Sequence, residues 1–142
     1  MVCQGNICRS PMAEGFFLHQ LHDIDSSMVV CSAGLAALVN HSAEPKAQFV
    51  MNKYEIDISK HRARQLDDKL IRGIDLILVM TKRQRVLLEQ QFLFVKGKTF
   101  LLGHWQNFEI EDPIGRDIKM FEQVYQQIEY GWDDWKIRIM VC

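Results

Sequence analysis

At 142 residues, 48% of them apolar, the chain has material for one domain around one core, so residues 1–142 are expected to form a single domain. Its formal net charge of −1, with basic residues scattered rather than gathered in blocks, excludes a global electrostatic case for binding nucleic acid. No apolar run approaches the length of a membrane span and the first residues lack a signal-peptide pattern, so a soluble cytoplasmic protein is expected.

Helical and extended patterns alternate along the chain. Ala13, Phe16, Phe17 and Leu21 share one helical face, and Ser10-Pro11 ahead of them reads as an N-cap followed by the first helical position. Residues 28–32 read as a buried strand, and 41–54 as a helix followed by the polar loop DISKHRARQL. Residues 75–80 form the clearest strand, 81–91 the next helix and 99–102 a further strand. A last helix begins near Ile118 and runs through Val124 and Ile128 toward Trp135. Strands separated by helices predict an α/β fold whose parallel sheet is covered on both faces. In such sheets ligands bind where strands end and helices begin.

The opening MVCQGNICRS occupies that kind of position. It reads as Cys3-x5-Arg9-Ser10: a thiol, a five-residue loop able to curl around an anion, and a guanidinium at the start of a helix. Gly5 is expected to supply the unusual backbone conformation that lets consecutive N–H groups point inward as an anion nest. Arg9 can clasp two phosphate oxygens with its planar fork. These positive surroundings favour the thiolate form of Cys3, so one loop builds a nucleophile and its target's binding site. The four cysteines, Cys3, Cys8, Cys31 and Cys142, read as reduced thiols, and their spacing fails the usual zinc patterns. Neither metal nor cofactor is expected.

The segment VCQGNICRSPMAEGFF resembles the signature of the low-molecular-weight protein tyrosine phosphatases. The likeness continues through CSAG, HSAEPKA, DISKHRARQL, DLILVMTK and EDPIGRD, and so covers nearly the whole chain. The resemblance implies a four-stranded parallel, doubly wound sheet flanked by helices, a Rossmann-like arrangement of the phosphatase I type. It also implies metal-free hydrolysis of a phosphate monoester, typically protein phosphotyrosine. By the same resemblance Cys3 is the nucleophile, and Arg9 with the backbone of Gln4, Gly5, Asn6, Ile7 and Cys8 holds the phosphate. Asp112 is the general acid and Ser10 hydrogen-bonds the departing thiolate. Asn6, Ser32 and His61 match a polar network that supports the phosphate loop. Cys8 matches a partner for a reversible disulfide with the nucleophile. A phosphotyrosine-bearing protein, such as a bacterial tyrosine kinase, is the implied substrate. The rival class is a phosphate-binding or phosphotyrosine-binding module without turnover.

The chain also departs from the family pattern. Ile114 and Gly115 stand where relatives carry an aromatic cleft wall, Gln4 makes the rim more polar, and Leu38 is a candidate apolar rim contact. Ile7 replaces the Thr of relatives acting on phosphoarginine, which favours phosphotyrosine. Cys31 and Cys142 do not supply the paired cysteines that arsenate reductases need.

At the ends, only Met1 and Val2 precede Cys3, while the tail KIRIMVC alternates Ile137, Ile139 and Val141 as a strand would. Either the natural first residues are missing, or the chain is circularly permuted so that its tail completes the first strand. On the permuted reading Cys142 lies beside Cys3 as a rival nucleophile or redox partner. A monomer is then expected, with strand exchange between molecules open to it.

Overall fold

The computed structural model describes residues 1–24 and 27–140. Four short strands, β1 (Val2–Cys3), β2 (Ala33–Gly34), β3 (Ile77–Val79) and β4 (Thr99–Leu101), form one parallel sheet in the order β2-β1-β3-β4. Val2 pairs with Ala33 on one side and Val79 on the other, so β1 is central and Cys3 ends it. The helices are α1 (Arg9–Leu21), α2 (Pro45–Lys53), α3 (Asp68–Arg72), α4 (Lys82–Gln91) and α5 (Ile118–Ile139).

The residues of β3 explain the layering. Leu78 and the following Met80 join an apolar cluster with Met12, Phe16, Phe121 and Ile128, whereas Ile77 and Val79 join another with Ile71, Leu88, Val95 and Leu101. Successive side chains of a strand point to opposite faces, so a strand covered on both sides must be apolar throughout. Helices α1, α2 and α5 cover the first face, and α3 and α4 the second. Each fully buried Phe or Ile contributes roughly 1.5–3 kcal/mol. The approach of α5 is close: a Cβ added at Gly131 would lie 2.2 Å from Leu102 Cδ2. Trp135 Nε1 also donates to the Leu102 carbonyl at 2.8 Å.

Three expectations need correction. Residues 28–32 form no strand; regular pairing begins at Ala33, and upstream of it the Met1 amine donates to the Cys31 carbonyl at 2.7 Å without extending the two-residue β1. Ser10 is not the cap of α1. The cap position falls on Cys8, without a side-chain cap bond, and Ser10 lies inside the first turn. Pro11 is harmless there, since first-turn N–H groups have no intrahelical acceptor.

The third correction concerns the tail. Ile137 and Ile139 belong to α5, not to a strand, so the tail does not complete β1. Phe121, Tyr125, Ile128, Trp132 and Trp135 recur at helical spacing and are buried, and Ile139 packs on the same cluster. That period of 3.6 outweighs the alternation of three residues. Lys136 with Asp133 (2.6 Å) and Arg138 with Asp134 (3.8 Å) also pair at helical spacing, placing cations where the helix dipole favours them. Val141 and Cys142 lie outside the described residues.

Candidate active site

The segment between β1 and α1 curls so that its carbonyls face outward. Ala36 N–H donates to the carbonyl of Gln4, and Leu38 N–H to that of Gly5, both at 3.0 Å. His61 Nε2 bonds that of Asn6 (2.7 Å), Glu44 N–H that of Ile7 (2.8 Å) and Met12 N–H that of Cys8 (3.1 Å). A peptide whose C=O points out turns its N–H in. Among the described residues no protein acceptor takes the amide hydrogens of Gly5 to Arg9. The result is a concave row of donors at a helix N-terminus, the geometry that binds anions.

The conformational key to this curl is Asn6, not Gly5. Asn6 has φ 57° in the left-handed region, while Gly5 does not enter it. A Cβ added at Gly5 would make ordinary contacts of 3.8 Å with Ile7 and 4.0 Å with Leu38. Asn tolerates left-handed backbone better than most residues, because its short polar side chain bonds locally. Here Asn6 Oδ1 accepts from Arg64 N–H at 2.9 Å, which fixes the amide orientation. Its Nδ2 then donates to Ser10 Oγ and Ser32 Oγ, both at 2.8 Å.

That direction propagates. Ser10 Oγ accepts from Asn6, so its own hydrogen is free to point at Cys3 Sγ, 2.9 Å away. Ser32 Oγ donates to Glu14 Oε2. His61 Nδ1 faces the same carboxylate at 3.9 Å, while its Nε2 carries the proton given to the Asn6 carbonyl. Glu14, on α1, is a member of this network that sequence reasoning missed. Its signal was position: it lies one helical turn beyond Ser10 and so turns toward the same side of α1.

Arg9 is buried at the mouth of the loop. Its Nη1 donates to the Ile110 carbonyl (3.1 Å) and its Nη2 pairs with Asp112 Oδ2 (2.9 Å). Its Nε is buried without a partner in the protein. A buried guanidinium nitrogen left unpaired is costly, and an anion in the loop is the natural acceptor. Asp112 is 48% exposed, and its second oxygen accepts from Ile114 N–H at 3.2 Å. The segment carrying it is anchored on the sheet by Ile110 N–H to the Met80 carbonyl (2.9 Å).

The structure thus brings Cys3, Asn6, Arg9, Ser10, Ser32, His61 and Asp112 together. Cys8 is buried, and that burial, reinforced by nearby Glu44, Asp112 and Cys3, pushes its thiol well above the ordinary range. It is therefore a neutral thiol at neutral pH. Gln4 lies exposed on the rim, with Leu38 and Ile114 about half exposed and Ile7 half-buried. A cavity of about 860 Å³ opens at the other end of the strands and is not lined by Cys3, Arg9 or Asp112.

A family model, low molecular weight phosphotyrosine protein phosphatase, matches residues 1–140. The chain belongs to the low molecular weight protein-tyrosine-phosphatases. The match runs straight through from the first residue, and with the helical tail it overturns the circular permutation. Among its relatives, the phosphatase is 43% identical to the low molecular weight protein-tyrosine-phosphatase Ptp of Acinetobacter johnsonii, over 95% of this chain and 92% of that one. Its fold is similar to the crystal structure of Erwinia amylovora tyrosine phosphatase AmsI. That match has TM-score 0.89 and 39% identity, covering 96% of this chain and 89% of that one. It is likewise similar to Escherichia coli K30 Wzb in complex with sulphate, with TM-score 0.90 and 34% identity, covering 97% and 94% of the two chains. The phosphatase is an α/β protein with a four-stranded parallel sheet flanked by helices, as these structures are. No helix among its described residues is long and apolar enough to cross a membrane.

Proposed function

We propose that this phosphatase hydrolyses protein phosphotyrosine through a phosphocysteine intermediate on Cys3. The observation that carries the reading is the cup itself. Its inward N–H groups and the unpaired Nε of Arg9 converge beside Cys3 Sγ, with a carboxyl group on the opposite lip. An incoming phosphoryl group takes the guanidinium from Asp112 and leaves that carboxyl group beside the leaving oxygen.

Cys3 thiolate attacks phosphorus, forming the S–P bond as the P–O(aryl) bond breaks, and Asp112 gives its proton to the aryl oxygen. The loop amides and Arg9 hold the three equatorial oxygens as charge redistributes. Asp112, now ionised, takes a proton from water as that water attacks phosphorus. The S–P bond breaks and Ser10 O–H donates to the released thiolate. Asn6, Ser32, His61 and Glu14 keep the cup in shape. Leu38 and Ile114 offer an apolar rim to the tyrosine ring, and the bulk of Ile7 disfavours a guanidino group. A tyrosine-phosphorylated protein, such as a bacterial tyrosine kinase, fits this chemistry.

Turnover of 4-nitrophenyl phosphate and of phenyl phosphate by the wild type, Cys3→Ser, Cys142→Ser and Asp112→Asn tests the reading. Cys3→Ser is expected to abolish turnover and Cys142→Ser to retain it. Asp112→Asn is expected to slow phenyl phosphate by about a hundredfold, a typical general-acid contribution. A wild type that binds orthovanadate without turnover would instead be a binding module, and loss of activity in Cys142→Ser alone would move the nucleophile.

A further inference from the structure

The phosphate loop and the acid-bearing segment are far apart in sequence, yet one short stretch of α2 touches both. Glu44, the N-cap of α2, donates its N–H to the Ile7 carbonyl of the phosphate loop at 2.8 Å. Its side chain accepts from Lys46 N–H (2.6 Å) and Ala47 N–H (3.2 Å), fixing the first turn of the helix. Pro45 stiffens that turn further. From it Lys46 reaches across and its Nζ donates to the Arg116 carbonyl at 2.6 Å, passing 5.9 Å from the centre of the Phe121 ring.

Arg116 closes the turn that displays the acid. Its N–H donates to the Pro113 carbonyl at 2.9 Å, and Gly115 has φ 71°, as the third position of a type II turn requires. Asp112 immediately precedes this turn and takes the Ile114 N–H. The near end of the segment is held by the Ile110 bonds to Met80 and Arg9. At the far end Asp117 caps α5, with its side chain accepting from Met120 N–H at 3.3 Å. Arg9 grips the near side of the segment directly, at Ile110 and Asp112, and Lys46 supplies a second, sideways tie that refers the far side of the turn to the phosphate loop through the start of α2.

We infer that Lys46 is a positioning residue that sets Asp112 over the phosphate loop at the height of the leaving oxygen. The inference rests on the reading of Asp112 as general acid. Proton transfer is steep in distance, and misplacement by about 1 Å can cost up to about a hundredfold. A loosened turn therefore penalises substrates in proportion to their need for a proton. Phenyl phosphate, with a poor leaving group, needs it; 4-nitrophenyl phosphate hardly does.

The test compares kcat/KM for these two substrates in wild type, Lys46→Met, Lys46→Arg and Asp112→Asn, with the inhibition constant of inorganic phosphate measured in each. Lys46→Met is expected to lose about tenfold on phenyl phosphate and about twofold on 4-nitrophenyl phosphate, an intermediate version of the Asp112→Asn pattern. Phosphate inhibition should change by less than about twofold, since the cup is untouched, and Lys46→Arg should recover most of the loss. Equal losses on both substrates, or none, with Asp112→Asn still selective, would overturn the role of Lys46 alone. An Asp112→Asn variant that falls equally on both would remove the general-acid reading beneath it.

Discussion

Replacing Asn6 separates two costs that the structure superimposes. Asn6→Ala removes three hydrogen bonds, two buried ones to Ser10 (2.8 Å) and Ser32 (2.8 Å) and a part-buried one from Arg64 N–H (2.9 Å), each worth about 1 kcal/mol net. It also places a Cβ-bearing residue without a local partner at φ 57°, for about 1 kcal/mol more. The expected loss is about 4 kcal/mol for Asn6→Ala and about 3 kcal/mol for Asn6→Gly, which is at ease with that backbone. With a urea slope of about 2 kcal/mol per M, the midpoints should fall by about 2 M and about 1.5 M. The fluorescence of buried Trp132 and Trp135 reports the transition. Both variants should lose at least about tenfold in kcat/KM on 4-nitrophenyl phosphate, since Ser10 loses the donor that aims its hydroxyl at Cys3. Equal midpoints for the two variants would show that the left-handed backbone stores no strain. An Asn6→Gly protein within about 1 kcal/mol of wild type would refute the network energetics altogether.

Arg9→Lys keeps the charge but loses the fork, and is expected to cut kcat/KM by about a hundredfold and to weaken phosphate inhibition; retention within a few-fold would deny the bidentate grip. Iodoacetamide at neutral pH should label Cys3 and spare Cys8, whose buried thiol is pushed upward, with labelling sites read by mass spectrometry. Peroxide should inactivate the enzyme and added thiol restore it, and equal recovery by Cys8→Ser would exclude a Cys3–Cys8 disulfide as the protecting step. Burial, helped by Glu129 and Tyr54, pushes the Tyr125 hydroxyl up to about 12 from 10.0. The folded state thus keeps this proton longer than the unfolded one. Its stabilising contribution is intact below pH 10 and is lost as pH rises from there through about 12. Urea melts across that range should fall in step with a late tyrosinate signal at 295 nm, and a flat profile would refute the assignment.

The make-up of the phosphate loop was legible because it depends on residue type at fixed spacing. Cys3, Arg9 and Ser10 were read from that pattern and Asp112 from the family resemblance, and the continuous apolar run of 76–80 marked a strand buried on both faces. Conformation was less legible. Gly5 drew attention as the flexible residue, but Asn6 takes the left-handed position, because a residue there can bond three partners while a glycine can bond none. Glu14 was hidden, since nothing in its neighbours along the chain foretells Ser32 and His61 arriving from elsewhere. The tail misled because Ile137, Ile139 and Val141 alternate over too short a window to outweigh a helix whose buried face had already begun at Phe121. The strand read at 28–32 failed for a related reason. Apolar composition permits a strand, and pairing requires a neighbour of matching length.

The outward carbonyls of the phosphate loop carry one more consequence. They are gripped by Ala36, Leu38, Glu44 and His61, on segments that themselves belong to the packed body of the molecule. The cup is therefore finished when the chain folds, and an arriving phosphoryl group meets a mould already cast. Its entropy of ordering was spent before the ligand came, and the loop can lose its form only if the neighbouring backbone lets go as well.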